Sequence, residues 1–133
     1  MRPAVIADTG PLYAAVDPDD SYHNQSQQEL RRLSHSRRDV VIAYPTLLEA
    51  YTLALYRLGH ATASVWLSDI TAGAALINPT PDDYHEAIIK IQSFADQQIT
   101  LFDAIVAVLA TRLGVQVWTY DHHFDVMRAD VWR

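Results

Sequence analysis

Short, near-continuous apolar runs alternate along this chain with longer stretches in which apolar residues return at helical spacing. PAVIA, residues 3 to 7, predicts a buried strand. GPLYAAV after it predicts a short helix, because Pro11 in a first turn gives up only an N–H that has no helical partner there. DPDDSYHNQSQQELRRLSHS predicts a polar turn and a solvent-facing helix ending near Arg37. DVVIAY (39 to 44), rich in β-branched residues, predicts a second buried strand. PTLLEAYTLALYRLG predicts a helix opened by Pro45 and stopped by Gly59, with HATASVWLSDITAG as the second helix of that hairpin. AALIN (74 to 78) predicts a third strand, and PDDYHEAIIKIQSFAD a helix with Ile88, Ile91 and Ala95 on its apolar face. TLFDAIVAVLATRLG predicts a helix closed by Gly114, VQVWTY a fourth strand, and ADVW is a candidate fifth. Apolar strands separated by helices are covered on both faces, so the expectation is a three-layer α/β/α domain over residues 1–133, with a central, mainly parallel sheet of four to five strands.

Composition narrows the chemistry. The 133 residues include no cysteine, which excludes a disulfide frame, a thiolate zinc site and a cysteine nucleophile, and fits a cytoplasmic protein. No apolar run approaches the roughly 20 residues needed to cross a bilayer, and the N-terminus lacks the pattern of a secretory signal, so no membrane partner is expected. Net charge is −6, so any hold on nucleic acid must come from local clusters and not from the overall field.

The acids divide by their surroundings. Most of the 16 stand in polar clusters such as DPDD and PDDYHE, where a solvated turn or a helix cap accounts for them. Asp8, Glu49 and Asp103 instead stand as lone charges in segments that otherwise read as core, and Asp121 in TYDHHFD ends the fourth strand as Asp8 ends the first. In a parallel sheet the carboxyl ends of the strands share one edge, where ligands bind. Asp8 and Asp121 fall on that edge, Glu49 lies in the first turns of the helix that leaves it, and Asp103 is near the start of its own helix. Taken singly, Asp8 or Asp103 serves as an N-cap, Glu49 as a surface acid sharing a helical face with Leu53 and Tyr56, and Asp121 as a turn residue. Taken together, four converging carboxylates repel one another in a poorly solvated site unless a cation joins them. All-oxygen ligands suit Mg²⁺ or Mn²⁺, ions that activate water and hold phosphate oxygens.

ADTGPLYA, LLEAY, TLFDAIVAVLA and TYDHHF, in this order, resemble the four acidic motifs of the PIN-domain ribonucleases. The small size, the DDSYHNQS turn and the late TxDxxF pattern are similar to VapC-type toxins of bacterial toxin–antitoxin pairs. The resemblance spans essentially the whole chain. It implies a PIN-like fold and a Mg²⁺ or Mn²⁺ site of Asp8, Glu49, Asp103 and Asp121 for hydrolysing RNA phosphodiesters, with Thr119 as the supporting hydroxyl and Asp125 as an additional acid. It also implies a homodimer and a cognate antitoxin across the groove. Arg31 and Arg32, with Arg37 and Arg38, form the best cluster for an RNA backbone, and Arg112 and Arg128 are nearer the acids in sequence. For each of these the alternative is a solvated helix end or a pair with a neighbouring acid. His122 and His123 invite a metal or general-base role beside Asp121, while Trp118 and Trp132 read as core and Trp66 as core or a dimer surface.

Rival readings are a receiver domain, a DNA nuclease, and a PIN-like module that binds RNA or protein without cutting. A receiver domain wants adjacent acids after its first strand and a lysine after its last; Asp8 has no acidic neighbour and Lys90 falls in a helix.

Overall fold

A computed structural model describes residues 3–133. Four parallel strands lie in the order β3-β2-β1-β4, where β1 is Ala4–Ala7, β2 Asp39–Ala43, β3 Ala75–Ile77 and β4 Gln116–Trp118. Among the described residues the candidate fifth strand contributes only an isolated parallel bridge, Val131 to Val117. Among the described residues there are seven helices, six between the strands and one after β4: α1 (Thr9–Ala14), α2 (His23–His35), α3 (Tyr44–Leu58), α4 (His60–Gly73), α5 (Pro81–Gln92), α6 (Leu101–Leu113) and α7 (His123–Val126).

The period-two geometry of the strands builds the three layers. Along β1, Val5 and Ala7 enter a core cluster with Leu12, Leu33, Leu47 and Trp66 from α1 to α4, while Ile6 points the other way, into a cluster with α6, Ala87 and Phe124. Val117 and Trp118 split between the same two cores. The fully buried positions of a strand covered on both faces have no place for a polar side chain, so residues 5–7 and 117–118 carry none, while Asp39 and Gln116 stand at partly buried strand starts. Trp118, Trp132 and Trp66 are all buried, and the two C-terminal tryptophans meet edge to face at 6.3 Å.

Helix boundaries follow local chemistry. Gly114 closes α6 in the left-handed region at φ 67°, with open space where a Cβ would stand. We expect Gly114→Ala to cost about 1 kcal/mol through backbone strain alone, read as a lower denaturation midpoint with an unchanged slope. α5 departs from expectation. It ends at Gln92, Ala95 lies beyond it, and Ile88 is exposed. The buried face is Asp83, Ala87 and Ile91 instead. The cause is Asp83, which completes a capping box with Thr80 and takes two hydrogen bonds from Arg112 of α6, so its side of the helix turns inward.

Candidate metal centre

β1 is where the chain order reverses across the sheet, with β2 on one side and β4 on the other. Side chains leaving the carboxyl ends of β1 and β4 therefore flank a crevice. Asp8 follows β1, and its N–H donates to the Trp118 carbonyl at the end of β4 (2.9 Å), which ties the two strand ends together. Although Asp8 occupies the N-cap position of α1, it makes no side-chain cap bond there. Its Oδ2 accepts from the Thr119 hydroxyl at 2.8 Å, and that hydroxyl oxygen accepts from the Asp121 N–H at 3.0 Å. One hydroxyl thus links the side chain of the first acid to the backbone of the second.

Glu49, in the second turn of α3, accepts a hydrogen bond from the Thr9 hydroxyl. Asp103 is in the first turn of α6, but the cap of that helix is Thr100, whose hydroxyl accepts from the Asp103 N–H at 3.1 Å. The Asp103 carboxylate is thereby left for the crevice. All four acids line one cleft of about 390 Å³.

Their electrostatics follow from this convergence. Burial, with smaller contributions from Asp121 and Glu49, pushes the Asp8 carboxyl up to about 6 against the downward pull of hydrogen bonds from Thr119 and Thr9. Burial and the charges of Asp8, Asp121 and Glu49 push Asp103 up to about 8. Two acids held partly protonated near neutral pH, among hard oxygen donors, are the arrangement a small divalent cation relieves. The donor set therefore fits Mg²⁺ or Mn²⁺.

The other sequence-selected residues separate from this group. Asp125 is exposed, pairs with Arg133 at 3.1 Å and lies outside the cleft. Arg112 cannot be the expected phosphate contact in the cleft. It is in the last turn of α6, at the opposite end of the helix from Asp103, and grips buried Asp83 through Nε (2.9 Å) and a terminal nitrogen (2.8 Å). We expect Arg112→Ala to lower the unfolding midpoint by roughly 3–6 °C while leaving the chemistry of the cleft unchanged; an equal loss of activity per folded molecule would contradict this. Arg31 and Arg128 are exposed, the latter at φ 59° just after α7. Arg32 stacks its guanidinium over Trp132 at 4.2 Å. His122 is largely exposed, whereas His123 is held with Nδ1 3.2 Å from Asp121. With Asp121 the two histidines form the metal-sized cluster found among the described residues, on the rim beside the four acids.

A family model for the PIN domain matches residues 5–129. The chain belongs to the PIN-domain family. Solved structures similar to this PIN domain include VapC20 of Mycobacterium tuberculosis, a sarcin-ricin loop cleaving toxin, at 20% identity and TM-score 0.85 over 98% of this chain and 99% of that one. VapBC2 from Rickettsia felis, bound to a DNA fragment from its promoter, matches at 11% identity and TM-score 0.77, covering 98% and 97%. A toxin–antitoxin complex from Klebsiella pneumoniae matches at 18% identity and TM-score 0.66, covering 90% and 88%. No curated protein matches.

Several residues of the PIN domain's cleft escaped sequence reasoning, among them Thr9, Asp20 and Arg57. Thr9 holds Glu49, Asp20 comes from the acidic turn that reads as solvated, and Arg57 is a cation facing the acids. The signal for Arg57 was present: Glu49, Leu53 and Arg57 are spaced i, i+4, i+8 on α3 and line the cleft together, while Tyr56, expected on that face, is 83% exposed.

Proposed function

We propose that this PIN domain is a divalent-metal-dependent endoribonuclease acting as the toxin of a toxin–antitoxin pair. The observation that carries the reading is the convergence of Asp8, Glu49, Asp103 and Asp121 on one cleft, with two of the four carboxyls pushed toward or above neutrality. These four would hold Mg²⁺ or Mn²⁺. When bound, the ion would supply Lewis acidity toward water and charge neutralisation at the phosphate oxygens.

The chain's own residues do the rest. Thr119 fixes Asp8 by donating to its carboxylate and positions Asp121 by accepting from its backbone, and Thr9 holds Glu49. Asp8, Glu49 and Asp121 are then in place before substrate arrives, so little reorganisation of these three is needed. Asp8 and Asp103, partly protonated without a cation, would give up those protons on holding one. Arg57, whose guanidinium lies 5.1 Å from the Tyr13 ring centroid, is the cation of the cleft suited to a phosphate oxygen. Arg31, Arg32 and Arg128, exposed outside it, are candidates for more distant phosphates.

An antitoxin partner is supported by the toxin–antitoxin complexes among the similar structures. A homodimer is part of the same proposal. The exposed apolar residues Leu48, Tyr56 and Val65 of the α3–α4 hairpin supply surface suited to protein contact. The direct test is incubation of the purified, antitoxin-free protein with total RNA. Cutting that requires Mg²⁺ or Mn²⁺ and stops with chelator is expected; equal cutting in chelator would overturn the metal mechanism, and binding without cutting would favour the non-cleaving module.

A further inference from the structure

A second cavity, of about 480 Å³, adjoins the acidic cleft and shares Tyr22, Tyr120 and Asp121 with it. Its wall is an aromatic stack: Tyr22 lies on Tyr120 with centroids 4.4 Å apart and planes 17° from parallel, and Tyr22 remains 43% exposed. Trp132 forms another side. From α2, Gln25 and Glu29 face the same space, one helical turn apart.

Glu29 is held rigidly. Its Oε1 accepts from the Trp118 indole at 3.1 Å and from the Tyr120 hydroxyl at 2.5 Å, whereas Oε2 accepts no hydrogen bond among the described residues. The Tyr120 hydroxyl and the Trp118 indole thus both occupy Oε1. A fixed carboxylate oxygen, an amide beside it and an aromatic face form the kind of site that reads the edge of an unstacked base in single-stranded RNA.

We propose that this cavity takes a guanine base flanking the RNA bond cut in the acidic cleft, stacked on Tyr22 with its donor edge read by Glu29 and Gln25. The proposal rests on the ribonuclease reading above. Guanine presents an N1 imino and an N2 amino group side by side, so it can donate twice to acceptors of this kind. Uracil offers a single imino donor between two carbonyl oxygens, which a carboxylate repels. Adenine and cytosine offer one amino group beside an acceptor nitrogen. Arg133, on the rim, and Arg32, over Trp132, are cations suited to the flanking phosphates.

Inosine, which is guanosine without the N2 amino group, provides the test. Short single-stranded oligoribonucleotides carrying one guanosine, or inosine in its place, are titrated onto the wild-type protein in chelator and then incubated for cutting in Mg²⁺ and, separately, in Mn²⁺. Inosine should weaken binding about tenfold or more, the loss expected for one hydrogen bond to a charged group. Glu29→Gln provides the matching variant. Its amide oxygen must stay on the Trp118 and Tyr120 side, so its NH₂ faces the cavity and replaces an acceptor with a donor, and the preference for guanosine over inosine should vanish. Gln25→Ala, at an exposed position, should weaken the guanosine RNA severalfold with the fold intact. Equal binding of the two RNAs by the wild type would overturn the base site. Metal-dependent cutting that ignores the inosine change would leave the ribonuclease standing and remove the base site; guanosine-selective binding without cutting in either metal would do the reverse.

Discussion

Asp103→Asn should reduce RNA cleavage by roughly 10²- to 10³-fold, the scale on which loss of one preorganised electrostatic group registers in a turnover rate. Asn has the shape of Asp but carries no charge, so it would weaken the hold on a divalent ion without opening a cavity. Asp103 is the most strongly perturbed of the four acids, and its N–H already satisfies the Thr100 cap, so the carboxylate contributes nothing to closing α6. The substitution should therefore leave the fold intact. In metal-free buffer at pH 7.5 it should raise the unfolding midpoint, because it removes a carboxyl crowded by Asp8, Asp121 and Glu49. Cleavage within about tenfold of wild type, in a preparation free of contaminating nuclease, would exclude Asp103 from the chemistry.

Thermal unfolding of the metal-free protein should show stability falling as pH rises from about 4 to about 8, opposite to the behaviour of an ordinary salt-bridged carboxylate. The sign follows from proton counting. Asp8 and Asp103 have folded values of about 6 and about 8 against a reference of 3.8, so the folded state keeps protons that the unfolded chain has released. Their contribution is present in full below about pH 4. Both lose stabilisation between 4 and 6, and Asp103 alone continues to lose it up to 8. Because the cleft admits water, the total should be on the order of 3 kcal/mol, less than the shifts would give in a sealed interior. Asp83 acts in the other direction: Arg112 holds its carboxyl low, so that contribution is lost in strong acid. Mg²⁺ or Mn²⁺ should raise the midpoint strongly at pH 8 and weakly at pH 5, where protons compete for the same oxygens. Midpoints that vary neither with pH over this range nor with added metal would mean that the four carboxylates do not interact as their placement implies.

The sequence alone determined what is local. Runs such as VIA and VVIA have strand character written in their composition, and Pro11, Pro45, Gly59 and Gly114 punctuate the helices without help from distant residues. The lone acids were legible for a related reason: a charge in an apolar frame needs a partner, wherever that partner is. Of what joins them, Thr119 was expected as a supporting hydroxyl from the family resemblance, but local pattern did not show which side chains meet. Thr119 reaches Asp8 across 111 positions, Thr9 reaches Glu49 across 40, and Arg112 is diverted to Asp83 across 29. Each side chain had several acceptable local alternatives, including the caps and surface pairs that Asp8, Asp103 and Arg112 do not make with near neighbours. Periodicity failed on α5 because an ion pair with another helix outweighed the exposure of Ile88, and it failed for Tyr56 because the packing of α3 turned Arg57 toward the acids. Strand and helix content therefore came from the chain itself. Which side chains meet was decided by tertiary packing: the sheet order that sets β1 beside β4 brings Thr119 within hydrogen-bonding reach of Asp8, and the packing of α6 on α5 brings Arg112 to Asp83.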